Sequence, residues 1–273
     1  MNAIPAEDSA QQVAGVAVVT GAASGIGRAT VELFAERGFG VVAVDVAEEG
    51  LAELALIESV RALVGDVADD EVNDAAVGLA LSEFGRLDVS VLNAGIGGAG
   101  PLESEGALGR LEHILAVNVR GVASGIRAAL PPFRAAGGGA VVVTSSISGL
   151  RGDPGTWAYN ASKAAVINLV RGLALDYAVE NVRINTVAPG AALTGMTEGL
   201  LENPALARSL TRRIPLQRWS SAREQAEVIW FLASPAASFV TGVTVPVDGG
   251  LSASGGLLPP PTTPGESGVR VTD

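Results

Sequence analysis

Two side chains that can exchange a proton stand one helical turn apart in the run Tyr159-Asn160-Ala161-Ser162-Lys163. Residues at positions i and i+4 of a helix share one face, so the Lys163 ammonium can approach the Tyr159 phenol. A free tyrosine has a pKa of about 10 and is mostly protonated near neutral pH. Positive charge close to the ring would favour the phenolate, and the pair therefore predicts a proton acceptor for the oxidation of an alcohol.

Two adjacent hydroxyls precede the tyrosine at the end of an apolar run. Ser146 stands 13 residues before Tyr159, and Ser145 is its neighbour. A hydroxyl at the carboxyl end of a strand could hydrogen-bond the substrate oxygen while the tyrosine exchanges its proton. We expect Ser146 to do so, and from the residues alone Ser145 remains the alternative.

A glycine-rich turn follows the first apolar run of the chain. The segment Thr20-Gly21-Ala22-Ala23-Ser24-Gly25-Ile26-Gly27-Arg28 leads directly into a helical pattern. Glycines let the backbone approach a pyrophosphate, which the N–H groups and the positive end of the new helix can bind. The residues expected to contact a dinucleotide here are Gly21, Ser24, Gly25, Ile26 and Gly27.

An acid closes the second apolar run. Asp45 follows Val41-Val42-Ala43-Val44, 24 residues after Gly21. A carboxylate there can accept hydrogen bonds from the adenosine ribose and would repel a 2′-phosphate, so the sequence predicts NAD rather than NADP. Arg28 is the nearest cation, and we expect it to be a solvated side chain. The alternative for Asp45 is an ordinary acid at the end of a strand.

Short β-branched runs alternate with longer amphipathic stretches, which predicts an α/β fold: a single-domain, doubly wound parallel sheet of Rossmann-like type with helices on both faces. The carboxyl ends of parallel strands meet at one edge, so the segments above should face one crevice. The predicted strands are residues 16–20, 40–45, 60–64, 87–93, 140–145, 182–187 and 241–247. The predicted helices are residues 25–37, 69–84, 108–130, 157–179 and 222–232, with Pro131-Pro132 expected to stop the third.

These motifs resemble those of the short-chain dehydrogenase/reductase (SDR) family, in order and spacing, over about residues 16–250. The resemblance implies a catalytic set of Asn118, Ser146, Tyr159 and Lys163, and it selects Ser146 over Ser145. It also implies cofactor contacts from the segments that follow the other strands. These contacts are Asp66, Val67, Asn93, Ala94, Gly95, Tyr159, Lys163, Pro189, Gly190, Ala192 and Thr194.

The resemblance extends to the last strand, where Val247-Asp248-Gly249-Gly250 matches a segment that usually belongs to a subunit interface. It therefore implies a homotetramer or a homodimer. Two departures are visible. Thr144 stands where relatives often have Asn, and Pro246 lies inside the last strand. Because proline cannot donate to a sheet ladder, Pro246 suggests an edge position or a locally altered interface.

Substrate contacts in this family come from three segments, which here are residues 96–100, 147–157 and 191–214. Their side chains are mostly apolar, and Asp153 is the lone acid between Ser146 and Tyr159. A mostly apolar, uncharged or weakly polar alcohol or ketone fits best. The candidate substrate residues are Ile96, Ile147, Asp153, Trp157 and Met196, with Leu150, Leu193 and Leu200 beside them.

The composition excludes several other functions. Lys and Arg number 18 against 29 Asp and Glu, and the net charge of −11 disfavours nucleic acid and membranes as partners.

The chain has no cysteine, and its single histidine, His113, is expected to be structural, so we expect no metal. The absence of a signal-like or membrane-spanning apolar segment favours a cytoplasmic protein. We expect a flexible N-terminus (residues 1–13), a catalytic domain (14–251) and a disordered Pro/Gly-rich tail (252–273).

The sequence thus predicts an NAD(H)-dependent oxidoreductase that interconverts a secondary alcohol and a ketone, with Tyr159 as general acid and base. One alternative is a β-ketoacyl-carrier-protein reductase, which usually prefers NADPH and needs a basic docking patch, for which Arg212-Arg213 is the only paired candidate. Another is a non-catalytic dinucleotide sensor, which the complete catalytic set disfavours. A scaffold without a ligand is disfavoured by the cofactor motifs.

Overall fold

A seven-stranded parallel sheet forms the middle layer of the molecule. The computed structural model describes residues 13–98, 100–255 and 259–262. The strands of the sheet are β1 (Gly15–Thr20), β2 (Phe39–Asp45), β3 (Val60–Val64), β4 (Val89–Leu92), β5 (Gly139–Thr144), β6 (Val182–Pro189) and β9 (Thr244–Val247). They lie in the order β3-β2-β1-β4-β5-β6-β9, and the short strands β7 (Ala192–Leu193) and β8 (Ser220–Ser221) pair separately. The predicted doubly wound parallel sheet is confirmed.

Helices cover both faces of this sheet. They are α1 (Gly25–Glu36), α2 (Glu48–Leu54), α3 (Asp70–Phe84), α4 (Ala107–Leu115), α5 (Gly121–Ala136), α6 (Trp157–Tyr177), α7 (Glu198–Leu201), α8 (Pro204–Arg213) and α9 (Ala222–Ala233). One turn of π-helix, Ala116–Arg120, joins α4 to α5.

The side chains of β1 divide the hydrophobic core into two halves. Val16 and Val18 pack with α3, α5 and α6, whereas Ala17 and Val19 pack with α1, α2 and α9. Successive side chains of a strand point to opposite faces, so a strand that is apolar throughout needs helices on both sides. This packing fixes the strand ends, and with them the loops that carry the predicted site.

The expectation that Pro131 and Pro132 stop a helix is wrong. Helix α5 continues through both prolines to Ala136 and ends at Gly137, whose φ of 78° suits glycine. A proline inside a helix costs about 3 kcal/mol or more. However, α5 buries a long apolar face that includes Phe133, and each large apolar side chain buried there contributes about 1.5–3 kcal/mol. Packing against the sheet therefore outweighs the local penalty.

The remaining differences concern short elements. The third predicted helix, residues 108–130, is interrupted by the π turn. Helices α2, α7 and α8 were not predicted: α2 has seven residues with only two of them buried, and neither α7 nor α8 has a buried residue, so their apolar patterns are weak. The expected edge position of Pro246 is confirmed, since β9 ends the sheet order.

Part of the predicted tail is described. Leu251–Ala253 form a 3₁₀ turn, Arg151 donates to the Ser254 carbonyl at 2.7 Å, and Arg212 donates to the Pro260 carbonyl. The rest of the predicted tail and residues 1–12 of the predicted N-terminal segment lie outside the described residues. Of the helices that the structure describes, none has the length and apolar character needed to cross a membrane.

Candidate active site

The glycine-rich turn between β1 and α1 is built so that only glycine fits at its bends. Gly21 has a φ of 65°, and a Cβ there would lie 2.8 Å from the Cα of Ala94. A Cβ on Gly27 would lie 1.9 Å from the Gly21 carbonyl oxygen. Ser24 is exposed, and in this part of the described chain its hydroxyl caps none of the first N–H groups of α1. The turn can therefore present N–H donors to an anion.

Asn93 and Thr20 tie this turn to the end of β4. The Thr20 hydroxyl oxygen accepts hydrogen bonds from the N–H groups of Asn93 at 3.0 Å and Ala94 at 3.1 Å. The Asn93 amide donates to the carbonyls of Thr20 and Gly21, both at 3.2 Å. The Asn93 side chain, predicted to contact the cofactor, thus holds the turn itself. Thr20 was not among the predicted site residues, although its position as the last residue of β1 is the signal that marks it.

The acids that end the next strands lie at the same edge. Asp45 accepts a hydrogen bond from the Ala23 N–H at 2.9 Å, which places its carboxylate beside the glycine-rich turn. Asp66 accepts from the Ala68 N–H at 2.9 Å, and Val67 after it is buried. The structure therefore brings these predicted cofactor-binding residues to the carboxyl edge of the sheet.

Lys163 lies buried beneath Tyr159. Its Nζ is 5.6 Å from the centre of the Tyr159 ring and donates to the Thr144 carbonyl at 2.9 Å. Burial lowers the pKa of Lys163 to about 8. Burial also raises the pKa of Tyr159, a hydrogen bond with the Ser146 side chain lowers it, and the charge of Asp153 raises it further. In the chain by itself the pKa of Tyr159 therefore lies above its ordinary value, and the phenol is protonated near neutral pH.

The two adjacent serines have different partners. The Ser145 hydroxyl donates to the Lys163 carbonyl at 2.8 Å and is buried against α6. Ser146 instead reaches Tyr159, and its oxygen also accepts the Ser148 N–H at 3.1 Å. The structure thus brings Ser146, and not Ser145, to the tyrosine.

Asn118 lies in the π turn, fully buried. Its side chain accepts from the Ile96 N–H at 2.8 Å and donates to the Ile96 carbonyl and the Ser162 hydroxyl, both at 3.0 Å. A Cβ on Gly95 would lie 3.0 Å from Lys163 Nζ and 3.3 Å from Asn118 Oδ1. Glycine at position 95 therefore leaves room for the lysine and the asparagine at the end of β4.

The loop after β6 lies next to the glycine-rich turn. Pro189 ends the strand, Gly190 follows it, and Ala192 is buried in β7. A Cβ on Gly25 would lie 3.2 Å from the Thr194 methyl carbon, so this loop contacts the glycine-rich turn. The predicted cofactor contacts of this loop are thus next to the residues predicted to hold the cofactor's phosphates.

Hydrogen bonds join two of the predicted substrate segments. Trp157 Nε1 donates to the Gly100 carbonyl at 3.2 Å, and the Gly100 N–H donates to the Gly155 carbonyl at 3.3 Å. Ile96 and Ile147 are half-buried. The other predicted substrate residues, Leu150, Asp153, Leu193, Met196 and Leu200, are exposed, as is His113 on α4.

Comparison with known proteins agrees with this site. A family profile described as enoyl-(acyl carrier protein) reductase, within the SDR family, matches residues 21–252. The cis-4-hydroxycyclohexanecarboxylate dehydrogenase of Sinomonas cyclohexanicum is 44% identical over 243 residues, 87% of this chain and 96% of its own length. The 2-(R)-hydroxypropyl-CoM dehydrogenase of Xanthobacter autotrophicus is 38% identical over 247 residues, 87% and 98% of the two chains.

Solved structures give the same result. Levodione reductase has a TM-score of 0.83 and 37% identity, with 88% of this chain and 98% of that chain covered. A putative NAD(P)-dependent gluconate 5-dehydrogenase from Beutenbergia cavernae with bound NADP has a TM-score of 0.82 and 38% identity, with 90% and 99% covered. A 3-ketoacyl-(acyl-carrier-protein) reductase from Brucella melitensis complexed with NADH has a TM-score of 0.82 and 32% identity, with 88% and 99% covered.

A chain that matches the family profile over most of its length, and whose strand ends gather these motifs, belongs to the SDR family. It is an oxidoreductase that interconverts a secondary alcohol and a ketone and uses a nicotinamide dinucleotide, NAD or NADP. The predicted family and reaction class are confirmed.

Proposed function

We propose that this chain uses NAD(H) to interconvert a mostly apolar secondary alcohol and its ketone, with Tyr159 exchanging the proton at the substrate oxygen. One observation carries the proposal: the buried Lys163 ammonium lies 5.6 Å from the centre of the Tyr159 ring, at the carboxyl edge of the sheet. The half-buried Ile96 and Ile147 support an apolar substrate.

The residues present fit a dinucleotide. The positions where a Cβ would collide, Gly21 and Gly27, leave a bare backbone at the start of α1, which suits close approach of a pyrophosphate. When bound, the nicotinamide supplies or accepts the hydride. Ser146 would donate a hydrogen bond to the substrate oxygen, and Tyr159 would give or take its proton. Lys163 would add positive charge beneath the phenol.

Replacement of Tyr159 by Phe tests this assignment. Without the hydroxyl, we expect kcat to fall by at least about 100-fold, because general acid–base catalysis contributes that much or more. Binding of NADH, followed by its fluorescence, should remain near wild type. Tyr177→Phe, at the other tyrosine of the chain, is the matched control and should keep full turnover. If Tyr159→Phe and Tyr177→Phe have equal activity, Tyr159 is not the residue that exchanges the proton.

The surroundings of Asp45 support NAD over NADP. Arg28 pairs with Glu32 at 3.0 Å and with Glu53 at 2.6 Å, so the nearest guanidinium is already neutralised by acids. The residues after Asp45, Val46 and Ala47, carry no charge. A 2′-phosphate would therefore meet a carboxylate with no free cation supplied by these neighbours.

Asp45→Asn keeps the shape of the side chain and removes its negative charge. The amide oxygen can still accept the Ala23 N–H, but the negative charge is gone. We expect the ratio of kcat/KM for NAD⁺ to that for NADP⁺ to fall by at least about tenfold in steady-state kinetics. Glu49→Gln, which neutralises an exposed acid in α2, is the control and should leave the ratio unchanged. An unaltered ratio in Asp45→Asn would show that Asp45 does not select the cofactor.

A β-ketoacyl-carrier-protein reductase has less support. The paired cations Arg212 and Arg213 end α8, but the Arg212 guanidinium donates to the Pro260 carbonyl rather than standing open. Turnover of an acetoacetyl thioester with NADPH, faster than that of any simple ketone, would reverse this preference.

We also propose a homotetramer or homodimer that works in the cytoplasm. Strand β9 is the edge of the sheet, and Phe239 in the loop before it is fully exposed, which a second subunit could cover. Light scattering of the purified chain tests the assembly, and fractionation of the producing cells tests the location.

A further inference from the structure

The described part of the C-terminal tail contacts two of the predicted substrate segments. The Ser254 carbonyl accepts a hydrogen bond from the Arg151 guanidinium at 2.7 Å, and the Pro260 carbonyl accepts one from the Arg212 guanidinium. Arg151 lies in the loop before α6, whereas Arg212 lies near the end of α8. The tail is therefore hydrogen-bonded both to the loop that follows the catalytic serine and to a helix of the segment after β6.

The start of the tail is fixed next to the end of α8. A Cβ on Gly250 would lie 2.9 Å from the ring of Pro215, two residues after α8. The Asp248 carboxylate is buried and accepts the N–H groups of Gly250 at 2.9 Å and Ser252 at 2.7 Å. These contacts set where the tail begins relative to α8.

Helix α8 has little packing of its own. None of its residues is buried. The Trp219 indole N–H donates to the Thr211 hydroxyl in its last turn at 2.9 Å, and the Arg212 contact with the tail lies beside it. A surface helix normally gains its stability from a buried apolar face. Because α8 has no fully buried side chain, its position depends strongly on these polar contacts.

The two tail contacts lie beyond residue 252, where the match to the family profile ends. The run Pro259-Pro260-Pro261 suits such a contact, because a proline ring restricts φ and reduces the chain entropy that is lost on ordering. A hydrogen bond from a guanidinium is charge-assisted and about twice as strong as a neutral one. The contacts are therefore a feature of this chain that its match to the family profile does not include.

We infer that Arg151 and Arg212 determine which alcohols this chain accepts, because they hold the loop before α6 and helix α8 to one tail. The inference rests on the proposed function. A small alcohol fits between the two substrate segments without moving them. A bulky alcohol must displace α8, and it therefore has to break the Arg212 hydrogen bond. Both arginines act through the tail, so they are positioning residues and not catalytic ones.

Two alcohols that differ only in bulk test this inference. Cyclohexanol and 4-tert-butylcyclohexanol carry the same reacting group, and Arg212→Met keeps a long side chain but removes the donor. In steady-state oxidation we expect kcat/KM to fall for cyclohexanol and to rise for the tert-butyl derivative, mainly through KM. The ratio of the two values should fall about tenfold, which is the effect of losing one hydrogen bond to a charged group. Arg151→Met should lower the same ratio.

Arg171→Met is the matched control. Arg171 is exposed on α6 and lies outside the three substrate segments, so its replacement should leave the ratio unchanged. The double variant of Arg151 and Arg212 should change the ratio by less than the product of the two single effects, because both contacts hold one tail.

A fluorescent label measures the attachment of the tail without any turnover. The chain has no cysteine, so Pro261→Cys provides a single labelling site at an exposed position. We expect the anisotropy of the label to fall when Arg212→Met is added, because the tail then moves more freely. Addition of Arg171→Met should leave the anisotropy unchanged.

The inference is overturned if Arg212→Met keeps the wild-type ratio of the two alcohols. It is also overturned if both alcohols lose activity by one factor, since the contact then only supports the fold, or if the anisotropy of the label does not change. A wild-type chain that oxidises neither alcohol with either dinucleotide would instead overturn the proposed function, and the inference with it.

Discussion

Burial of the Lys163 ammonium destabilises the folded chain, but it places a positive charge next to Tyr159, where the proposed reaction needs one. The residue is 4% exposed, and its ammonium donates to the Thr144 carbonyl. Removing a charge from water disfavours the charged form, which is why the pKa of Lys163 falls to about 8. A partly neutral lysine beneath Tyr159 stabilises the phenolate less well than a fully charged one, so the pH of the solution should influence this pair.

Replacing Lys163 with Met should make the unfolding free energy less dependent on pH between about 8 and 10.5. The unfolded chain keeps the lysine proton up to the ordinary pKa of 10.5, whereas the folded chain releases it above about 8. The unfolded state binds more protons in this window, so wild-type stability rises with pH there, by about 3 kcal/mol. Below pH 8 the penalty is fully present. Urea unfolding of both proteins without cofactor measures the difference, and parallel pH curves would contradict it.

Sequence spacing was enough to find the pairing of Tyr159 with Lys163, because two residues four apart on a helix are neighbours whatever the rest of the fold does. It was not enough for Thr20 or Ser148. The pairing of β1 with β4 brings Asn93 to hydrogen-bond Thr20. The loop before α6, held by the bond from Asn160 to the Asp153 carbonyl, brings the Asp153 carboxylate to Ser148. The role of a serine or threonine hydroxyl cannot be predicted from sequence until its hydrogen-bond partner is known.

At the scale of elements, the π turn is the irregular piece that positions the site. Residues 116–120 depart from the regular α-helix, and Asn118 within them is directed at the Ile96 backbone. Such turns often occur at functional sites. Here the Asn118 side chain joins the turn to the Ile96 backbone, in the segment that follows β4. No local pattern around Asn118 predicts this contact.

Asn118→Leu should destabilise the chain by about 3 kcal/mol, because it leaves the Ile96 N–H and carbonyl groups without their partner at about 1–3 kcal/mol for each buried group. Leucine has the same number and branching of side-chain heavy atoms as asparagine, so the change leaves no cavity. Urea unfolding measures the change. Asn168→Leu, on an exposed position of α6, is the control and should shift stability by less than about 0.5 kcal/mol. Equal effects of the two changes would argue against the role of the π turn.

Strands β1, β2 and β5 could be predicted from sequence because each is a nearly continuous apolar run, and their parallel pairing followed from the alternation with helices. The prolines of α5 were misread for the opposite reason. Pro131 forbids one hydrogen bond locally, whereas the face around Phe133 stabilises the helix through contacts with the sheet that are distant in sequence. A prediction from local sequence fails where tertiary packing stabilises a helix by more free energy than its prolines cost.

At the scale of the whole molecule, the two halves of the core should unfold together. Phe133 of α5 and Ile229 of α9 are fully buried on opposite faces of the sheet. Truncating either to alanine should cost about 3 kcal/mol. Because one sheet joins the halves, both variants should lower the urea midpoint seen by tryptophan fluorescence and by circular dichroism to the same value.

Leu175→Ala, at an exposed site of α6, is the control for these truncations and should have almost no effect. Two separate transitions in either core variant would contradict the predicted single catalytic domain of residues 14–251. Agreement between the two spectroscopic signals would support it.

The strand order also dictates when the protein can fold during its synthesis. Strands β1, β2 and β3 can pair as soon as they leave the ribosome, but Ala17 must wait for Val89 before the other edge of β1 is covered, and Thr186 must wait for Thr244. Contacts between residues so far apart in sequence form slowly. The nascent chain therefore carries an open, apolar strand edge through much of translation, and this is the stage at which a chaperone would protect it from aggregation.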